Sequence, residues 1–322
     1  MSAALSSPLH LPAPTGSAGV VVFTGQGAQK AGMARDVVEA FPRAAAVFDE
    51  ASATLGYDMR ALCFAADPRL DLTEYTQPAI LTAEIAIFAV AHEEWGYRPA
   101  RFGGHSLGEY AALVAAGVMP LTEALRLVAA RGRLMQAAVP VGVGAMAALI
   151  RDNIDLGALR SELEGLVVDV ANHNSPDQVV LSGAAADVDT AIARLGGPGS
   201  RLKKLVVSAP FHSRLMGVIE ADFAALLRAS APTWRMEGAT RVASNTTGGF
   251  HDADPAALID ALTRQISGTV RFVDNMAALS GEPVIEIGPS RVLRAFFQAV
   301  GRPAESVTNV VSARRAFAPS AA

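Results

Sequence analysis

Short β-branched runs closed by glycines alternate along this chain with longer stretches whose apolar positions recur at helical spacing. GVVVFTGQGAQ (19–29) predicts a buried strand followed by a tight turn. Residues 31–57, with Phe41, Ala45, Phe48 and Leu55 among the apolar positions, predict one helix. QPAILTAEIAIFAVAHEEW predicts another over 77–94, with Pro78 in its first turn. YRPARFGGHS reads as a brief extended segment, and 107–117 as helix again. A further helix is expected over 121–138, capped by Thr122 with Glu123 in its first turn.

The texture changes near residue 143. GAMAALI predicts a strand, 155–165 a helix, VVDVANHN and DQVVLSG two strands, 185–195 a helix and SRLKKLVVS a last strand. That βαββαβ order is the ferredoxin-like pattern, and it interrupts a larger α/β region. The larger region resumes with a helix over 213–229 and strands at TRVASN and PVIEIG. The expected division is therefore a core of 19–142 and 208–312, a ferredoxin-like α+β subdomain of 143–207, a flexible tail of 1–18 and a loose tail of 313–322.

With 322 residues, 51% of them hydrophobic, the chain can fill a substantial core. A net charge of −4 supplies no basic field for nucleic acid. The single cysteine, Cys63, excludes an internal disulfide framework and fits a reducing cytoplasm. The Ala-, Ser- and Pro-rich start lacks the basic and apolar regions of a signal peptide, and no apolar run reaches the ~20 residues a membrane span needs. A soluble monomer without membrane attachment is expected.

GGHSLGEYAALVAAG (103–117) contains Gly104-His105-Ser106-Leu107-Gly108, a G-x-S-x-G. In such a turn the serine sits between strand and helix, and the glycines let neighbouring backbone approach. The helix N-terminus then faces any negative charge that develops, with the Leu107 amide as one donor. Ser106 is either a nucleophile or part of a helix-entry turn without chemistry. His105 points away from its neighbour on such a turn and is expected to line the site. His10 lies in the tail, His92 on an expected solvated face, His173 in the smaller unit and His251 in a loop. His212, in VVSAPFHSRLM, follows a strand and precedes a helix, where active sites gather, and is the base by elimination; the other reading is a helix-capping histidine. No aspartate completes a triad, but a carbonyl acceptor can fix the imidazole tautomer as well.

FTGQGAQKAGM, TQPAILTAE, GHSLGEYAALVAAG, RGRLMQ, NHNSPDQVVLSG, APFHSRLM, SNTTGG and EIGPSRVL occur in this order, and together they resemble the malonyl-CoA:acyl-carrier-protein transacylases, the acyltransferases of fatty acid and polyketide synthesis. The resemblance runs from about residue 19 to 300. It implies an α/β fold, a hydrolase-like core with a parallel sheet carrying the inserted ferredoxin-like subdomain. It implies Ser106 as nucleophile, His212 as general base and acid, and the amides of Gln26 and Leu107 as oxyanion hole. Gln265 in RQISGTVRF would hold the histidine through its main-chain carbonyl, and Gln77 would line the pocket. Arg131 would bind the substrate carboxylate.

A guanidinium can grip a carboxylate with two parallel hydrogen bonds, which suits a malonyl group carried into a partly dry pocket. Without the motif, a helical arginine reads as a surface ion pair. Phe211 would exclude a 2-methyl branch. Many modular polyketide acyltransferases carry another residue where Pro210 stands here, but the phenylalanine is kept. The implied substrates are malonyl-CoA and the phosphopantetheine thiol of an acyl carrier protein, with no metal or redox cofactor, in a discrete, trans-acting enzyme. Arg201, Lys203, Lys204 and Arg214 are docking candidates for an acidic carrier, or equally a solvated face. An acyl hydrolase that clears carrier proteins is the alternative, disfavoured by Arg131, and a non-catalytic carrier scaffold is a third.

Overall fold

A computed structural model describes residues 19–281 and 283–318 of the chain. Val20–Phe23 (β1) is wholly buried. The helix expected over 31–57 is two, Arg35–Ala40 (α1) and Pro42–Leu55 (α2). Pro42 opens α2 and holds Phe41 in an extended conformation (φ −132°, ψ 119°), because its ring disfavours a helical residue before it. Met59–Phe64 (α3) follows. Thr73–Glu94 (α4) begins four residues earlier than its periodicity suggests, so Pro78 lies inside the helix and not in its first turn. The Gln136 side-chain oxygen accepts the Thr73 amide at 2.8 Å, a partner 63 residues away that no local pattern reveals. His92, expected in solvent, is 7% exposed and packs against the Phe88 ring.

Arg101–Gly104 (β2) leads into Gly108–Ala115 (α5) and Leu121–Ala137 (α6). Pro120 is the cap of α6, and Thr122 lies inside its first turn, contrary to expectation. Then come Gly144–Arg151 (β3), Leu156–Glu162 (α7), Val168–Ser175 (β4), Gln178–Ala184 (β5), Ala185–Leu195 (α8) and Ser200–Lys204 (β6). These strands form one antiparallel sheet of order β4-β5-β3-β6, the ferredoxin-like arrangement, over a core that includes Leu149, Leu159, Leu181 and Val188.

The chain returns through a short 3-10 stretch, Arg214–Ile219, into Glu220–Ser230 (α9). TRVASN forms no full strand. Only Val242 bridges β2, at Phe102, before the backbone turns back and Ala243 meets Phe250. Pro255–Arg264 (α10), Phe272–Ala278 (α11), Val284–Ile287 (β7), Val292–Ala299 (α12) and Ala304–Val307 (β8) complete the larger unit. Its sheet is parallel throughout, of order β2-β1-β7-β8, with Val20 opposite both Arg101 and Val284.

The loose tail expected for 313–322 is instead a helix as far as Phe317: Val310–Phe317 (α13), held by an Asn309–Ser312 capping box. Phe317 packs on Trp95 and Tyr97, which fixes this end of the chain to α4 and the loop after it. Residues 319–322, and the tail expected at 1–18, lie outside the described residues. Among the described residues, no helix is long and apolar enough to cross a membrane.

Candidate active site

The G-x-S-x-G turn joins the C-terminal end of β2 to α5, beside the end of β1. A Cβ on Gly104 would overlap the backbone of Gly108, and one on Gly108 would overlap the carbonyls of Phe23 and Thr24, so neither position tolerates a side chain. Ser106 itself has φ 53°, a left-handed conformation that costs an L-residue roughly 1–2 kcal/mol. The turn is stapled from outside: the Ser106 amide donates to Asn245 Oδ1 at 2.6 Å, and Asn245 Nδ2 donates to the Gly104 carbonyl at 2.8 Å. Asn275 in α11 accepts the same Nδ2 at 2.8 Å.

His212 also carries a positive φ, 58°. Its Nε2 lies 2.7 Å from Ser106 Oγ, and its Nδ1 lies 2.8 Å from the main-chain carbonyl of Gln265. A carbonyl can only accept, so the proton sits on Nδ1 and Nε2 is free to receive the serine proton. Burial, reinforced by the positive charge of Arg131, pushes the imidazole pKa down to about 3, against the Gln265 carbonyl, which favours the charged form. His212 is thus neutral at physiological pH, poised as an acceptor.

Arg131, on α6, is 1% exposed. Its Nη1 donates to Gln77 Oε1 at 2.9 Å; its Nη2 donates to Gln265 Oε1 at 2.9 Å and to Ser106 Oγ at 3.1 Å. The guanidinium lies 5.6 Å from the centre of the Tyr110 ring, and its Nε has no partner. Burial pulls its pKa below the usual arginine value. Among the described residues no carboxylate pairs with it, so a buried cation stands next to the serine hydroxyl with its charge unanswered by direct contact.

Gln26 is exposed and reaches the same cluster: Gln77 Nε2 lies 3.4 Å from its Oε1, and its own Nε2 lies 3.3 Å from Thr73 Oγ1. Among the described residues, neither the Gln26 nor the Leu107 amide donates a hydrogen bond. His105 turns aside, with Nε2 2.8 Å from Asn174 Oδ1 and its ring against Phe272. It lines a mostly apolar cavity of about 270 Å³ together with Gln26, Asn174 and Phe296. Phe211 is buried in the main apolar core. His212 borders a second, polar groove of about 710 Å³ with Arg160, Arg214 and Ser267. Arg214 is engaged by Asp169 at 2.6 Å and Lys204 by Asp189 at 2.6 Å.

Ser106, His212, Arg131, Gln265, Gln77 and Gln26, drawn from six segments of sequence, therefore form one hydrogen-bonded cluster. The sequence leaves Asn245 and Glu109 unmarked and places His251 in a loop with no role. Asn245 lies within SNTTGG and Glu109 within GHSLGE, but neither spacing nor hydropathy marks a residue that acts by bonding to backbone. His251 is 5% exposed and holds Glu109 Oε1 at 2.7 Å, which its loop-like sequence does not suggest.

Residues 20–316 match the model of the acyl transferase domain family. The chain is 42% identical over 282 residues to the malonyl CoA-acyl carrier protein transacylase of Escherichia coli K12, covering 84% of this chain and 89% of that protein. It is 35% identical over 290 residues to the enzyme of the same name from Staphylococcus aureus MW2, covering 88% and 92%. Among solved structures, FabD from Acinetobacter baumannii superposes with a TM-score of 0.87 at 35% identity, covering 94% of this chain and 98% of that one. A malonyl-transacylase solved in complex with its type II PKS acyl-carrier protein is a second match, with a TM-score of 0.87 at 36% identity, covering 94% and 99%. With the match spanning both the parallel-sheet core and the inserted subdomain, the chain belongs to the acyl transferase domain family.

Proposed function

We propose that this chain moves a malonyl group from malonyl-CoA, through an ester on Ser106, to the phosphopantetheine thiol of an acyl carrier protein. The observation that carries the reading is the buried Arg131 guanidinium, 3.1 Å from Ser106 Oγ and, among the described residues, without a carboxylate partner. A malonyl carboxylate supplies the missing charge and places its thioester carbonyl at the serine. A neutral acyl chain would leave the cation unpaired in a dry pocket.

His212 Nε2 takes the proton of Ser106 Oγ as the oxygen attacks the thioester carbon. The amides of Gln26 and Leu107 receive the oxyanion, each with no acceptor among the described residues competing for it. As the tetrahedral species collapses, the carbon–sulfur bond breaks and His212 returns its proton to the departing CoA sulfur. In the second half the carrier thiol gives its proton to His212 and attacks the malonyl ester. Collapse breaks the carbon–oxygen bond, and Ser106 recovers its proton from His212. The Gln265 carbonyl holds the imidazole through both halves. Protons and electrons balance with no redox change, so the cycle calls for no cofactor beyond its two substrates. The carboxylate also cancels the Arg131 field at His212, so the base becomes stronger when the substrate is in place.

In this reading the chain is a cytoplasmic monomer, with Phe211 limiting branching at the 2-position. Intact-mass measurement after exposure to malonyl-CoA tests the proposal. One malonyl adduct that is absent in Ser106→Ala and discharged by a holo carrier protein is expected. Rapid release of free malonate without transfer, or no adduct at all, would overturn it.

A further inference from the structure

Behind the reacting pair lies a buried acid that the proposed cycle leaves unused. Glu109, the second residue of α5, has no exposed surface, and both its oxygens are engaged. Oε1 is held by His251 Nε2 at 2.7 Å; Oε2 accepts from Gln265 Nε2 at 2.6 Å and from the Asn245 amide at 3.1 Å. Gln265 carries the contact forward. Its Nε2 also donates to the Ser106 carbonyl at 3.1 Å, its Oε1 accepts from Arg131 at 2.9 Å, and its main-chain oxygen holds His212.

A carboxylate only accepts hydrogen bonds, so Glu109 decides which end of the Gln265 amide faces it and therefore which end faces Arg131. The reversed amide would set an NH2 group against the guanidinium and a carbonyl against the carboxylate, two repulsive contacts in a dry interior. The arrangement also resolves a conflict of charge. An acid gripping Arg131 directly would occupy it in an internal ion pair. Glu109, one amide removed, offsets the buried cation and leaves the guanidinium free to bind.

We propose that Glu109, anchored by His251, is a positioning residue that fixes the Gln265 amide, keeps Arg131 aimed at the acyl carboxylate, and so sets the preference for a diacid thioester over a neutral one. The inference rests on the reading of Arg131 given above.

The test is the ratio of kcat/KM for Ser106 acylation by malonyl-CoA and by acetyl-CoA, measured in the wild type, Glu109→Gln, Glu109→Asp, His251→Leu and Arg131→Ala. Glu109→Gln is nearly isosteric but can donate as well as accept, and it is expected to lower the ratio about tenfold, the scale of coupling within a buried network. The loss should appear mainly in KM for malonyl-CoA, and Glu109→Asp, which still only accepts, should restore part of it. Equal losses for both substrates, with the ratio unchanged, would mark a merely structural role and overturn the inference. Should Glu109→Gln fail to fold, His251→Leu carries the test: a smaller fall in the ratio supports the role, and an unchanged ratio overturns it. If Arg131→Ala collapses the ratio while the Glu109 and His251 variants keep it, only the positioning role fails. If Arg131→Ala itself keeps the ratio, the reading of Arg131 fails first.

Discussion

Arg131 Nη2 lies 3.1 Å from Ser106 Oγ, yet among the described residues no acid pairs with this buried guanidinium. Its remaining partners, Gln77 and Gln265, are neutral amides at 2.9 Å each. They orient the charge without cancelling it. Such a group binds an anion well because its desolvation cost is already met by the fold and its geometry is set beforehand.

Replacing Arg131 with alanine removes one partner of the pair that malonyl completes, a loss of roughly 3–5 kcal/mol, or two to four powers of ten in acylation. Competition among malonyl-, methylmalonyl- and acetyl-CoA should show the malonyl preference gone in this variant. Arg131→Lys is expected to recover only part of it, since an ammonium cannot reproduce two parallel N–H donors in one plane.

His212 should give the reaction an unusual acid limb. Its pKa in the free protein is pushed down to about 3, so the imidazole remains neutral far below the ordinary histidine range. Activity requires the neutral form, and kcat/KM reports the free enzyme, so the rate should be nearly flat from about pH 8 down to about pH 5. A pH–rate profile of single-turnover acylation checks this. Arg131→Ala, which removes one cause of the depression, should move the limb upward in pH.

Asn245→Ala deletes the acceptor of the Ser106 amide and the donor to the Gly104 carbonyl. Two buried backbone groups would be left without partners, at about 1–3 kcal/mol each in lost stability. Denaturant unfolding should register that loss, and acylation should slow beyond it because the left-handed turn at Ser106 loses its brace. Asn275→Ala, one bond further out, should act in the same direction and more weakly.

Phe211→Ala tests the limit on branching. Adjacent to His212 and buried, the ring is expected to fill the space a 2-methyl group would need. Its removal should raise the methylmalonyl-to-malonyl ratio, by up to about 10–200-fold, the range that one methyl group in an apolar pocket commands. A ratio unchanged in the competition assay would remove Phe211 from the selectivity account.

Much of this site can be read from the chain because its groups sit where local geometry has few solutions. Glycines at 104 and 108 are required by backbone contact, and the order of strands and helices from 143 to 204 fixes the inserted sheet. Other features escape because their causes are distant in sequence. The start of α4 depends on Gln136, and the cover over His92 comes from packing against Phe88 that a helical wheel with two glutamates beside it does not reveal. The strand AESV is four residues long and carries an acid, yet it is an edge of the parallel sheet because β7 supplies its register. Phe317 likewise ends a docked helix through aromatic neighbours more than 200 positions earlier.

Of the four non-glycine residues described with left-handed backbones, two are Ser106 and His212, the pair whose side chains meet at 2.7 Å. Their hydroxyl and imidazole are presented by conformations that isolated peptides avoid, so the surrounding packing must hold them there. Chain segments that relaxed to ordinary dihedrals would strengthen the fold while parting the reacting atoms. Selection for robustness alone would therefore erode this enzyme, and efforts to make it more heat-resistant should leave these two backbones untouched.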